Sequence, residues 1–541
     1  MKHIVLTGIL CVLLFWLNSC NQYTSSDFFY SKSLSDSLVI NSVQTELQTA
    51  NGLDTLIGQF SNQSLDSIQL VIKTAYASGS LLWQDAVNKT PHPSVNVFLG
   101  NLGQAKKHGL PNQAYKYQEI DSLYRYLYAP RSPVPDNYQT KISELDVLLS
   151  TSFLCYASDL LHGSIKPRGV WEITPRQAPL LPLLQKASES KQGFNESLKK
   201  LSPNDKAYLA LQEKLGLYQS VAVKGGWKIV KANESASIAQ RLQATADLAA
   251  GKNDAASLKK AVETYQARHG LPITGRVDNK TLKVMNVPVE KRVEQIQLNL
   301  ERYRWLPGDL GERYVWVNLP EYKIRVFDQG KEVAEIVGVV GAPTTESPIL
   351  VNKPMKNIIF SPTWTLPTSI AKEEMEYILR NPAVLIVADV DVWVDGKKVS
   401  DPRDVDWKNT NLSRVRMRQR PKKTNSMGKA KFMFANGHSI YLHDTPNQQD
   451  FKINYRAQSH GCIRVSEPQR LAEVLMQGSD WDAPKIKTAM NSGKERYVNL
   501  PTDTKVHLFY LTAWVDDAGT LQFRSDIYGH DRRQLKQLQL L

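Results

Sequence analysis

The chain has 541 residues, of which 42% are hydrophobic, 9% aromatic and 22% charged; it can bury several cores, which excludes a wholly disordered or collagen-like polymer. Lys plus Arg number 67 against 53 Asp plus Glu, a formal charge of +14, which favours an acidic partner: nucleic acid, anionic lipid or an anionic polymer. The four cysteines, Cys11, Cys20, Cys155 and Cys462, are too few and too far apart for a disulfide scaffold or a Cys-rich zinc site.

Met1-Lys2-His3 is a short polar start, followed by the apolar run Ile4–Leu17 and then Asn18-Ser19-Cys20. That run is shorter than the roughly 20 residues a bilayer-spanning helix needs, so residues 1–20 read as a cleaved export signal. Leu17-Asn18-Ser19-Cys20 resembles a bacterial lipoprotein box, which implies a lipid on Cys20. No later apolar run reaches about 18 residues. The rest is therefore expected to be soluble in the periplasm or cell envelope, touching membrane only through Cys20.

Residues 25–230 read as a helical scaffold without legible chemistry. Ile142, Leu145, Leu148, Leu149, Phe153, Tyr156 and Leu160 recur at helical spacing and end at Gly163, which predicts a helix with one apolar stripe and makes Cys155 a small core residue. Pro130, Pro133, Pro135 and the cluster Pro175–Pro182 predict breaks into short elements. Over 251–288, Leu258, Ala261, Val262 and Tyr265 fit one helix face, Gly270 a stop, and Asp278 the start of a second short helix carrying Leu282 and Met285. Tyr265-Gln266-Ala267-Arg268-His269-Gly270-Leu271-Pro272, with Thr274-Gly275 and Asp278–Leu282, resembles the small helical peptidoglycan-binding domain of exported wall enzymes. Residues 289–310, with Val293, Ile296, Leu300 and Tyr303 on one face, read as a rigid connector helix.

From 311 the period changes to two: Tyr322, Ile324 and Val326 alternate with charged neighbours, and Asp328-Gln329-Gly330 turns into Val333–Val340. Val506–Val515 and Leu521–Phe523 repeat the hairpin pattern, so 311–530 is expected to be a strand-dominated domain. Residues about 367–425 read as an insertion into it. Within that insertion Arg414, Arg416, Arg418 and Arg420 share one strand face and suit stem-peptide carboxylates or acidic envelope polymers, or are a plain solvated face. Export and the lack of a nucleic-acid motif argue against nucleic acid.

The chemistry falls on His443 and Cys462, 19 residues apart. A free thiol is mostly protonated near neutrality, so a base within reach or a positive environment must raise its thiolate fraction, and His443 offers both. Gly461 allows a tight turn that presents backbone N–H groups to an oxyanion. Arg464 would share a strand face with Cys462 and bind a carboxylate or support the oxyanion. Tyr441 and Ser459 neighbour the pair; His460, adjacent to it in sequence, points elsewhere on a strand and is expected to orient the loop. His507 and His530 read as structural or exposed.

His443, then Ser459-His460-Gly461-Cys462-Ile463-Arg464, resembles the catalytic signature of the L,D-transpeptidases, and Arg464 with His443-Asp444-Thr445-Pro446 resembles the long subgroup with scaffold and peptidoglycan-binding modules. The resemblance implies an α+β multi-domain chain: helical scaffold, small helical peptidoglycan-binding bundle, and β-sandwich-like catalytic domain with a capping insertion. It implies Cys462 as nucleophile on the third residue of a tetrapeptide stem and His443 as proton acceptor and donor. D-alanine leaves as a thioester forms, and a second stem's amine resolves it into a 3-3 crosslink. It implies no metal or cofactor, donor and acceptor stem peptides as partners, and carbapenem-type β-lactams as covalent inhibitors. Water as acceptor would make an L,D-carboxypeptidase, and a degenerate site a non-catalytic peptidoglycan-binding or tethering lipoprotein. Papain-like peptidases place Cys before His, and sortases resemble a different local signature with a longer gap.

Overall fold

The computed structural model describes residues 50–538 apart from 61, 63, 79, 86–89, 130–136, 175 and 232–233. The export signal, Cys20 and the expected breaks at Pro130, Pro133, Pro135 and Pro175 therefore lie outside the described residues. The chain divides into two compact units: the residues up to Lys166 with Arg176–Gly216, and Pro167–Pro175 with Leu217–Leu535.

The first unit is helical and is built on Tyr138–His162. This segment holds neither Gly nor Pro, and it ends where Gly163 takes φ 83°, a conformation open to glycine. In place of one apolar stripe it is buried almost all round from Ile142 to Leu161, Ser150, Thr151, Ser152 and Asp146 included. Polar residues survive there because they are satisfied. Asp146 accepts from the Leu82 and Trp83 amides at 2.9 and 2.8 Å and from the Tyr76 hydroxyl at 2.5 Å, while Ser150 accepts from Trp83 Nε1 at 2.9 Å. Trp83, Phe98, Phe153 and Phe194 pack as one aromatic group with centroids 5.5–6.1 Å apart.

The second unit begins with a small helical bundle. Ala255–Arg268 and Asn279–Met285 start at Asp254 and Asp278, whose carboxylates accept from the Ser257 and Thr281 amides, and Gly270 has φ 65°. Ala261, Val262, Tyr265 and Met285 form the core with Ile238 and Leu242. The helix Ser235–Ala244 thus extends this bundle ahead of residue 251, where the sequence shows little periodic apolar signal. Val289–Arg304 differs from the expected connector: besides Ile296 and Leu300 it buries Arg292, Asn299, Glu301, Arg302 and Arg304. Its polar groups are taken up by the unit itself. Asn299 Nδ2 donates to Thr512 Oγ1 at 2.9 Å and Arg302 pairs with Asp531 at 2.8 Å.

Eight strands of the second unit join into a sheet that closes on itself, and Ala513–Val515 pairs separately with Leu521–Phe523. In order the eight are Ala430–Phe434, Leu442–His443, Ile463–Val465, Lys331–Gly341, Lys323–Asp328, Arg313–Asn318, Arg496–Phe509 and Ile349–Phe360, which pairs back onto Ala430–Phe434. The expected sandwich-like layers are thus two walls of one circuit, and closure leaves these strands no open edge. The hairpin at 328–331 turns through Gln329 and Gly330 at φ 48° and 75°, two positive φ values that match the strand twist. Between Ile349–Phe360 and Ala430–Phe434 lies the cap: strands Lys397–Lys398, Val390–Val394, Val415–Gln419 and Trp364–Thr365 with the short helices Thr368–Glu373, Met375–Arg380 and Ala383–Val387. It has its own core of Ile378, Leu385, Val392, Trp407 and Met417.

Candidate active site

Two short parallel strands carry the site, with Leu442 opposite Ile463 and His443 opposite Arg464. Leu442, Ile463 and Val465 are wholly buried, so strand alternation turns Tyr441, His443, Cys462 and Arg464 to the other face. The pairing is anchored beside the thiol, where the Ile463 amide donates to the Tyr441 carbonyl at 3.1 Å. Lys431 joins this face from the neighbouring strand, where it lies opposite His443.

His443 is 4% exposed, and its Nδ1–H donates to the Asp444 carbonyl at 2.5 Å. That bond defines the tautomer: Nδ1 carries the proton and Nε2 keeps its lone pair. Burial, with the positive charges of Arg464 and Lys431, pushes the ring pKa down to about 3, against the effect of the Asp444 carbonyl. The resting imidazole is therefore neutral and available as a proton acceptor. The Tyr441 ring lies 5.8 Å from it.

Cys462 is half-buried and unpaired, with Sγ 3.9 Å from the Ser439 carbonyl. Burial raises its thiol pKa; the Tyr441 backbone, Lys431, the Tyr441 hydroxyl and Arg464 pull in the opposite direction. Tyr441 is 9% exposed and its phenol is held above the usual range by burial. Trp364 Nε1, from the cap, neighbours that hydroxyl without closing a hydrogen bond of normal geometry.

The turn before the thiol is tied on both sides. Ser459 Oγ donates to the Cys462 carbonyl at 2.5 Å and accepts from the Gly461 amide at 3.1 Å. Ser347 Oγ donates to the Gly461 carbonyl at 2.6 Å and Thr345 Oγ1 to the Ser459 carbonyl at 2.8 Å. Gly461 has φ 108°, a region L-residues avoid, so glycine is needed there for conformation. Its own amide donates to Ser459 Oγ, so the part of Gly461 lies in the turn itself. The Cys462 amide is left without a protein acceptor among the described residues.

Arg464, His460 and the basic run each have partners within the chain. Arg464 is in an ion pair with Asp450 at 2.6 Å, so it meets a carboxylate from its own chain. His460 is exposed, away from the catalytic face, with Nε2 3.1 Å from Glu373 of the cap. In the basic run, Arg414, Arg418 and Arg420 pair with Asp395, Glu495 and Asp389, and Arg416 lies 5.2 Å from the Trp393 ring. That face is neutralised locally, which removes the argument for it as an anion-binding strip. His507 and His530 are both buried. A cleft of about 660 Å³ lined by Lys422, Lys423, Lys429, Asp444 and Arg470 opens beside the site, with neither Cys462 nor His443 in its wall. Sequence reasoning missed Lys431; the alternation Lys431, Met433 between Ala430, Phe432 and Phe434 was the available signal. No group of three or more His, Cys, Asp or Glu fit to hold a metal ion occurs among the described residues.

Three regions of the chain match models of known families. Residues 312–507 match the model of an L,D-transpeptidase catalytic domain, residues 72–215 a scaffold domain, and residues 239–285 a "putative peptidoglycan binding domain". The region that contains His443 and Cys462 is thus similar to L,D-transpeptidase catalytic domains. The three matches follow one another along the chain in the order scaffold, peptidoglycan-binding and catalytic model. A protein of Haemophilus influenzae named "putative L,D-transpeptidase" is 29% identical over 254 residues, 46% of this chain and 51% of that protein. The chain spans about half the length of that curated relative. The crystal structure of an L,D-transpeptidase from Xylanimonas cellulosilytica aligns with 55% of this chain and 93% of its own at 14% identity and a TM-score of 0.16.

Proposed function

We propose that the protein is an L,D-transpeptidase that forms 3-3 crosslinks in peptidoglycan through a thioester on Cys462. The observation that carries this reading is the shared face of Cys462, Tyr441 and a neutral His443 whose tautomer is set by Asp444. His443 Nε2 takes the thiol proton as Sγ attacks the carbonyl of the third residue of a tetrapeptide stem. The tetrahedral oxyanion meets the Cys462 amide. As the C–N bond breaks, the imidazolium returns its proton to the departing D-alanine amine and leaves the thioester. A side-chain amine from a second stem then adds, gives its proton to His443 and expels the thiolate, which is reprotonated.

The bundle at 239–285 would hold the strand being crosslinked. The chain would be exported, anchored through a lipid on Cys20, and act in the periplasm or cell envelope. Carbapenem-type β-lactams would acylate Cys462.

The test is mass spectrometry of products after the chain lacking residues 1–20 is incubated with disaccharide-tetrapeptides, alongside Cys462→Ala. Dimers with loss of one alanine, absent with the variant, are expected. Tripeptide alone would make the protein a carboxypeptidase, and equal product from Cys462→Ala would remove the thioester reading.

A further inference from the structure

We propose that Lys431 is the electrostatic partner of the Cys462 thiolate, holding its ammonium on the face of the Tyr441 ring and acting on the sulfur both directly and through the Tyr441 hydroxyl. The inference rests on Cys462 being the nucleophile.

Placement comes first. Ala430, Phe432 and Phe434 enter the core, so Lys431 is turned to the catalytic face, opposite His443 in the antiparallel register. Its Nζ lies 3.6 Å from the Tyr441 ring centroid, within the range of a cation–π contact. Tyr441 is the residue beside Cys462 across the parallel pair, as the Ile463 amide on the Tyr441 carbonyl shows. Lys431, Tyr441 and Cys462 therefore form a short sequence of cation, phenol and thiol on one face.

The surrounding charges leave this ammonium uncommitted. Arg464 is tied to Asp450, and His460 is paired with Glu373 in solvent. The Glu495 charge favours the Lys431 ammonium, and its carboxylate is held by the Thr363 amide and hydroxyl and by Arg418. His443 is neutral. Lys431 has no carboxylate within ion-pair distance among the described residues, and burial disfavours its charged form while Cys462 and Glu495 favour it. A half-buried cation without a counter-ion gains when negative charge appears on the neighbouring sulfur.

Lys431 acts on both partners of the proton transfer: its charge helps depress His443 and favours the Cys462 thiolate. An imidazole pushed down to about 3 is a weak base for a thiol whose own pKa burial raises. Lys431 lowers the cost of the thiolate. It keeps its proton throughout; the thiol proton moves to His443 Nε2. The same depressed pKa then makes the imidazolium a strong acid toward the departing amine. Lys431 is thus a positioning residue that acts through Tyr441 and through its field.

The primary readout is thiol reactivity without substrate, with KM for a disaccharide-tetrapeptide measured beside it. The rate of Cys462 alkylation by iodoacetamide is followed by mass spectrometry from pH 5 to 10 in the parent chain, Lys431→Met and Lys431→Arg, with Cys155 as the unreactive control and melting temperature as the check on folding. Lys431→Met is expected to raise the apparent thiol pKa by about one unit and to slow alkylation at pH 7 about tenfold, with Lys431→Arg close to the parent. Should Lys431→Met not fold, Lys431→Gln replaces it. An unchanged pH profile in the folded neutral variant overturns the proposal, as does a profile for Lys431→Arg that matches Lys431→Met. A rise in KM for the stem peptide with an unmoved profile also overturns it and makes Lys431 a substrate anchor. The crosslinking reading fails separately, if Cys462→Ala still turns over.

Discussion

Two thiols in this chain show how surroundings alone separate a packing atom from a candidate nucleophile. Cys155 is 1% exposed inside Tyr138–His162, and burial followed by the charge of Asp159 pushes its thiol far up. Cys462 is also raised by burial, yet Tyr441, Lys431 and Arg464 oppose that rise and the sulfur is within reach of solvent. The same contrast holds for buried histidines. His507 uses both nitrogens, Nε2–H donating to the Leu310 carbonyl at 2.9 Å and Nδ1 accepting from the Asn352 amide at 3.2 Å. His443 uses one for Asp444 and keeps the other for chemistry. A polar group with all its bonds made is structural; one with a directed vacancy can exchange protons.

The largest effect that could break this comparison is expected at His443. His443→Gln should lower crosslinking by about 10²- to 10⁴-fold, measured as dimer yield per folded molecule. Retention of near-parent activity would end the assignment of His443 as base.

The two thiols sharpen the contrast next. Iodoacetamide on the native chain should label Cys462 and leave Cys155 unmodified until denaturant is added, read by peptide mapping. Cys155→Ser should cost about 1–3 kcal/mol in denaturant unfolding by placing a hydroxyl in that apolar site, with turnover per folded molecule unchanged.

The contrast between the histidines can be read in the pH dependence of stability. Burial pushes the His507 ring down to about 4, below its unfolded value of about 6.5. A depressed folded pKa means that the unfolded chain binds the proton more readily. The stabilisation from keeping His507 neutral is thus full above about 6.5 and falls as pH drops toward 4. Melting temperature should decline across that window, and His507→Gln should decline less steeply.

Much of the organisation could be read from residues in the chain. Asp254, Asp278, Gly270 and the Ala261, Val262, Tyr265 spacing mark the small bundle because caps and apolar faces are local features. The turn at Gln329-Gly330 is local for the same reason. The helix Ser235–Ala244, the buried polar face of Val289–Arg304 and the all-round burial of Tyr138–His162 were not legible. Each depends on partners distant in sequence, such as Thr512 for Asn299 and Leu82, Trp83 and Tyr76 for Asp146.

At the site, the residue types and their order were enough to single out His443 and Cys462, since a thiol beside Ser-His-Gly and downstream of a histidine is a one-dimensional pattern. Which charges act on them was decided by strand register. Arg414, Arg418 and Arg420 appear as a cationic strip in the sequence, and pairing with Asp395, Glu495 and Asp389 neutralises it. Arg464 is two residues from Cys462 in sequence but belongs to Asp450. Lys431 is 31 residues from Cys462 in the chain and reaches the same face because Ala430–Phe434 pairs with Leu442–His443, which pairs in turn with Ile463–Val465. Covalent order therefore determined which groups can do chemistry. Only the tertiary pairing decided their charge environment, because Coulomb interactions and desolvation depend on distance in space and on burial, and the linear sequence specifies neither.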